Sequence, residues 1–196
     1  MIWNYNTPGI PDELFVRSDK VPITKEEIRS LIISKLRLKK GNSAIDIGCG
    51  SGSVTVELCL QSNGGKIYGI DFDYNAIKLT KENLKRFNAI AEIFHGKAQD
   101  LLPNLPKVSA IVVGGTDGNT EIIIEKAIER LEKNGRIVIS NILIETMFKA
   151  IKTIETTNLI EVDLTQISIL KSRKVSTGTM MTARNPVLLI SATKPY

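Results

Sequence analysis

Three glycines in five residues, Gly48-Cys49-Gly50-Ser51-Gly52, follow the apolar run Ala44–Ile47 and stand two places behind an acid, Asp46. Glycine lets a turn take positive φ and lets a ligand approach the main chain closely. A helix opening near Ser53 presents free N–H groups and the positive end of its dipole to that turn. The spacing is G-x-G-x-G and not the G-x-G-x-x-G that receives a dinucleotide pyrophosphate. Nineteen residues past Gly52, the strand Lys66–Ile70 ends in a second acid, Asp71. A carboxylate in that place accepts hydrogen bonds from both hydroxyls of a ribose. The chemistry expected here is therefore the binding of a nucleoside. A plain strand-to-helix turn with a surface aspartate would leave the three glycines unexplained.

Elements on either side must hold this turn in place. Thr24-Lys25-Glu26-Glu27 reads as a capping box, with Thr24 as N-cap and Glu27 reaching back, before a helix striped by Ile28, Leu31, Ile32 and Leu36. Helices are expected from Ser53, from Tyr74 to Phe87 and from Asn119 to Leu131, the last closed by Asn134-Gly135. Ala91–His95, Ser109–Val113 and Arg136–Ser140 read as further strands. The successive apolar residues Ile111–Val113 suit a central parallel strand covered on both faces. Leu159–Leu170 and Val187–Ala192 read as late strands, joined by a polar loop that contains the basic run Lys171–Lys174, and together form an antiparallel hairpin at the sheet edge. The β–α alternation predicts an α/β fold with a seven-stranded, mostly parallel, doubly wound sheet. Residues 1–23 hold Pro8, Gly9, Pro11 and Pro22, with Phe15, Val16 and Val21 to bury, and read as an arm laid over a single domain of residues 1–196.

The chain has 42% apolar and 24% charged residues, a composition that excludes disorder. No apolar run approaches the roughly 18 residues of a membrane span, no secretory pattern opens the chain, and a cytoplasmic protein is expected. The cysteines, Cys49 and Cys59, form no disulfide or metal framework, and with His95 the single histidine no bound metal is expected. The net charge of +5 suits an anionic partner without naming it.

Asp46, the glycine turn and Asp71 together resemble motif I and its following acid in the class I S-adenosylmethionine-dependent methyltransferases. A closer resemblance, to the decarboxylating precorrin methyltransferases of cobalamin synthesis, runs through nearly the whole chain. It is carried by Gly9–Phe15, by Val21–Arg29, by Asp46–Gly52, by Val112–Gly115 and above all by the block Gly178–Val187. That resemblance implies methylation of carbon 15 of cobalt-precorrin-6B by S-adenosylmethionine, with loss of the ring C acetate carboxyl as carbon dioxide, giving cobalt-precorrin-7. It also implies a homotetramer. Cofactor contacts carry over to Thr24, to Gly48, Cys49, Gly50, Ser51 and Gly52, to Asp71 and to Ala98, with Asp46 helping to hold the cofactor's ammonium. Lys97 stands where an acid is frequent, which leaves the adenine contact to the main chain of Ala98.

An electron-rich ring supplies its own nucleophilic carbon, so alignment and water exclusion matter more than a titrating side chain. No catalytic residue is assigned. A large disc ringed by carboxylates suits cations: Arg17, Lys20, Arg173, Lys174 and Arg184 are the candidates. Thr116, Asn141 and Glu145, which follow strands four and five, are expected to line the pocket, and Met180 and Met181 to pack on the disc or between subunits. Rival readings are a transfer-RNA methyltransferase, since the same fold serves RNA, and a cofactor-binding scaffold without catalysis. Low aromatic content and the lack of an amine-methylating signature after strand four speak against RNA.

Overall fold

Every residue of β1 (Ala44–Ile47) is buried, as a strand covered on both faces requires. Its side chains alternate between two cores: Ile45 and Ile47 face one, Ala44 the other. Parallel to it run β2 (Ile67–Asp71) on one side and β4 (Val108–Val113) on the other. β3 (Glu92–His95) extends the sheet beyond β2, and β5 (Leu131–Asn141) beyond β4. The computed structural model describes residues 2–196. Helices α1 (Glu26–Leu36), α2 (Ser53–Ser62) and α3 (Tyr74–Phe87) precede β1, β2 and β3, while α4 (Ala98–Leu101), α5 (Thr120–Arg130) and α6 (Ile144–Glu155) follow β3, β4 and β5.

The main sheet closes with β6 (Ile160–Ile167) at its edge and β9 (Val187–Thr193) inserted antiparallel between β5 and β6. Its seven strands run in the order β3-β2-β1-β4-β5-β9-β6. The order reverses between β1 and β4. Their carboxyl ends therefore diverge around a crevice, the usual ligand site of an open α/β sheet.

The carboxy-terminal region departs from the sequence expectation. Lys171–Lys174 is not a loop: it belongs to β7 (Leu170–Val175), which pairs with β8 (Gly178–Ala183) in a ribbon separate from the main sheet. Each residue there has a ladder partner, and the tight turn lies further on, at Ser176-Thr177. Strand five begins at Leu131, earlier than expected, and so shortens α5 to end at Arg130.

The expected capping box is absent as well. The N-cap of α1 is Lys25, with no side-chain cap from its neighbours. The Glu26 N–H donates instead to Asp12 Oδ1 of the arm, at 3.0 Å. The arm is packed down by Ile10, Phe15 and Val21, all buried. It is also held by Arg29, which is fully buried between Asp12 and Glu57, each at 3.0 Å, and donates to the carbonyls of Ile10 and Thr24. Asn83 of α3 bonds both the N–H and the carbonyl of Val16 and donates to the Ser51 carbonyl, so one side chain ties the arm to the glycine turn.

Candidate active site

The glycine turn occupies the crevice at the end of β1. Gly48, Gly50 and Gly52 sit at φ 73°, 55° and 76°, a region that L side chains avoid. The N–H groups of Gly48 and Cys49 both donate to the Ile70 carbonyl, at 2.9 and 3.0 Å, which pins the turn against β2. Packing also demands glycine. A Cβ on Gly48 would stand 2.7 Å from the Gly115 nitrogen, and one on Gly52 would stand 2.8 Å from Thr80 Cα.

Asp71 ends β2 and is 8% exposed. Its Oδ2 accepts from Gly50 N–H at 2.8 Å and its Oδ1 from Asp73 N–H at 2.9 Å. Two backbone amides thus orient the carboxylate, and each oxygen keeps a further lone pair. Around it lies a cavity of about 310 Å³, walled by Gly48, Gly50, Asp71, Phe72, Lys97, Ala98 and Thr116, with Lys20 at its mouth from the arm. This mainly apolar, glycine-lined space, walled also by Ile47, Ile70 and Ile123 and carrying a buried carboxylate with lone pairs free for a diol, fits the nucleoside of S-adenosylmethionine.

A second cleft, of about 570 Å³, adjoins it and is walled by Thr24, Cys49, Asn141, Arg184 and Asn185 among apolar Ile23, Ile28, Ile142 and Val187. Pro22, Gly48, Gly50 and Gly114 line both spaces. Arg184 donates to Glu27 Oε2 at 2.8 Å, and Lys171 reaches Glu27 Oε1 at 3.0 Å. Burial works to raise the Glu27 carboxyl, but its hydrogen bonds and these two cations outweigh burial and hold it below its ordinary value. Glu27 thus serves the base of the ribbon, not a capping box. Asn141 turns inward on its own chain, its Oδ1 accepting from Ile142 and Leu143 N–H.

The remaining sequence candidates fall elsewhere. Asp46 is buried and accepts from Thr55 Oγ1 at 2.6 Å, and it lines neither space. Its removal from water raises the carboxyl to about 7, a rise opposed by the Thr55 hydrogen bond and assisted by the charge of Asp71. Ser51 and Gly52 also line neither space, because the turn folds them back onto α3; the buried Ser51 hydroxyl has no protein partner. Arg17, Glu145, Arg173 and Lys174 are exposed and outside both spaces, the last two because β7 carries them away from the sheet. Met180 and Met181 are exposed on β8. His95 bonds the Phe72 carbonyl at 3.0 Å and shapes the loop after β2. Burial pushes the Cys49 thiol well above its usual value and the Cys59 thiol up to about 12, so neither is a thiolate nucleophile at neutral pH. Sequence reasoning missed Pro22 and Asn185 as site walls, although both lie inside the blocks that carry the family resemblance. It also missed Asp73, whose place two residues after Asp71 signals an Asx-type turn.

A precorrin methyltransferase domain model matches residues 13–194. A Saccharolobus solfataricus protein named "Probable cobalt-precorrin-6B C(15)-methyltransferase (decarboxylating)" is 44% identical, covering 100% of both chains. The crystal structure of precorrin 8W decarboxylase from Methanobacterium thermoautotrophicum superimposes with a TM-score of 0.87 at 35% identity, over 93% of this chain and 98% of that one. The precorrin-6Y C5,15-methyltransferase of Geobacter metallireducens gives 0.88 at 31% identity, over 95% and 96%.

Proposed function

Because the chain belongs to the precorrin methyltransferase family, we propose that it methylates carbon 15 of cobalt-precorrin-6B, using S-adenosylmethionine, and releases the ring C acetate carboxyl as carbon dioxide. The observation that carries this reading is the pair of adjoining spaces, one holding a buried carboxylate beside bare glycine backbone and the other bearing a tethered cation, which share Pro22, Gly48, Gly50 and Gly114 in their lining. When bound, S-adenosylmethionine supplies a methyl group on a positively charged sulfur, an electrophile that needs no acid or base to activate it.

The residues of the chain bind and align. Asp71 accepts the ribose hydroxyls, Gly48 and Gly50 offer a surface without side chains, and the main chain at Ala98 frames the adenine. In the second cleft, Arg184 meets a carboxylate of the tetrapyrrole, held at the rim by Glu27. Thr24, Asn141 and Asn185 add polar atoms. Ile23, Ile28, Ile142 and Val187 keep water from the acceptor carbon, and alignment in a dry site is the larger part of what such a transfer requires. The conjugated ring takes up the electron pair left by the departing carbon dioxide, so no side chain has to.

Family membership favours a tetrapyrrole over transfer RNA as acceptor. The reading also carries a cytoplasmic homotetramer. Support for assembly comes from β6, whose alternate residues Ile160, Val162 and Leu164 are exposed at the sheet edge, and from Met180 and Met181 on the ribbon. The test is incubation with methyl-labelled S-adenosylmethionine and cobalt-precorrin-6B. Product mass should show one methyl gained and one carboxyl lost; failure to transfer label would refute the assignment.

A further inference from the structure

The nucleoside cavity and the second cleft meet at Pro22, Gly48, Gly50 and Gly114. If the reaction proposed above holds, the methyl carbon crosses between donor and acceptor there. Of the three glycines, the fold itself demands two. Gly48 and Gly50 have left-handed φ, and a Cβ on them would stand 2.7 Å from the Gly115 nitrogen and 3.1 Å from the Pro22 carbonyl oxygen respectively.

Gly114 differs. Its φ lies outside the left-handed region, so any residue could adopt it. A Cβ there would meet the carbonyl oxygens of Gly48 and Ile47 at 3.4 and 3.6 Å, which are ordinary contacts, and, its two chain neighbours aside, no other atom of the described residues within 4 Å. Its N–H is anchored to the Ile47 carbonyl at 2.8 Å, so the backbone stays in place if a side chain is added. Neither conformation nor packing asks for glycine at this position, yet it walls both spaces.

We propose that Gly114 governs access of the acceptor to the methyl donor: its bare Cα leaves the gap through which a flat, wide macrocycle brings its reacting carbon against the methyl group. The inference rests on the reaction proposed above. Reacting atoms must approach to about 3–3.5 Å, and misplacement by about 1 Å costs roughly 100-fold in rate. A methyl group on Gly114 fills that gap without touching the ribose end of the cavity. Gly115 provides the comparison. It lines only the nucleoside cavity, and a Cβ on it would meet only Gly48 Cα, at 3.8 Å.

The experiment compares wild type, G114A and G115A by calorimetry with S-adenosylhomocysteine and by turnover of cobalt-precorrin-6B at saturating donor. G114A should fold and bind S-adenosylhomocysteine within about threefold of wild type, while its kcat falls by roughly 100-fold. G115A should show the opposite split, with weaker S-adenosylhomocysteine binding and a smaller loss of kcat at saturation. The proposal is overturned if G114A turns over within about threefold of wild type, or if its S-adenosylhomocysteine affinity falls in step with kcat. A G114A chain that does not fold also overturns it, since packing would then demand the glycine. Wild-type enzyme that makes no product refutes the reaction itself and the role of Gly114 with it; equal rates from wild type and G114A refute only the latter.

Discussion

Asp71→Asn is the sharpest test of the nucleoside cavity. A carboxylate offers about four lone-pair directions. Gly50 N–H and Asp73 N–H take two of them, at 2.8 and 2.9 Å, which leaves one on each oxygen, the number a ribose diol needs. The substitution keeps the shape but turns one oxygen into a donor. One amide then faces another donor in both free and bound protein, a clash that lowers stability but cancels from the binding equilibrium. What changes on binding is the diol: one charge-assisted bond, about 1.5–3 kcal/mol, disappears, and the other weakens to a neutral bond of about 1 kcal/mol. The sum is about 3 kcal/mol, or roughly 100-fold in Kd. Calorimetry with S-adenosylhomocysteine measures this, and a 2′-deoxy analogue completes a double-mutant cycle. Wild type should lose affinity for the deoxy compound more steeply than the variant does. A variant Kd within about threefold of wild type, or an equal penalty for the deoxy analogue in both proteins, would refute the assignment of the ribose to Asp71.

Asp46→Asn should alter the pH dependence of stability. Burial raises the Asp46 carboxyl from 3.8 to about 7, so its contribution is full below the unfolded value and is lost as pH climbs through the folded one. That shift of about 3 units amounts to about 4 kcal/mol. Urea unfolding should find the variant gaining on wild type from pH 4 to pH 8, while parallel curves would contradict the buried, proton-retaining Asp46. Arg29→Met leaves Glu57 buried without its cation and Asp12 with only Lys25, 3.7 Å away, at a cost of about 3–5 kcal/mol. A lower urea midpoint and earlier proteolysis within residues 1–23 should follow, and an unchanged midpoint would disprove the role of the network. Arg184→Glu should raise KM for the tetrapyrrole by roughly 10- to 100-fold while leaving S-adenosylhomocysteine affinity alone; unchanged KM removes Arg184 from the substrate site.

Residues close in sequence made much of this protein legible. The spacing of Gly48, Gly50 and Gly52 after an apolar strand specifies a turn that only glycine can make, and Asp71 is found, as its spacing indicates, at the end of the next strand and bonded to that turn; both signals are local. The β–α rhythm dictates a doubly wound sheet, because alternate burial at period 2 and parallel pairing follow from neighbouring residues. Whatever depended on distant partners was hidden. Thr24 reads as a cap until Asp12, 14 residues upstream of Glu26, is found bonded to the Glu26 N–H in the first turn of α1. Glu27 reads as half of a capping box until Arg184, 157 residues away, takes its carboxylate. Asp46 resembles a cofactor ligand, yet the packing of α2 on the sheet points it at Thr55. The stretch from Lys171 reads as a polar loop, and only the ladder of β7 with β8 makes it a ribbon separate from the main sheet, in which β9 pairs between β5 and β6. Turn chemistry and periodicity are written in short stretches of chain. The direction of a buried carboxylate, and the single glycine on which two spaces meet, depend on which elements pack together, and only the folded chain decides that.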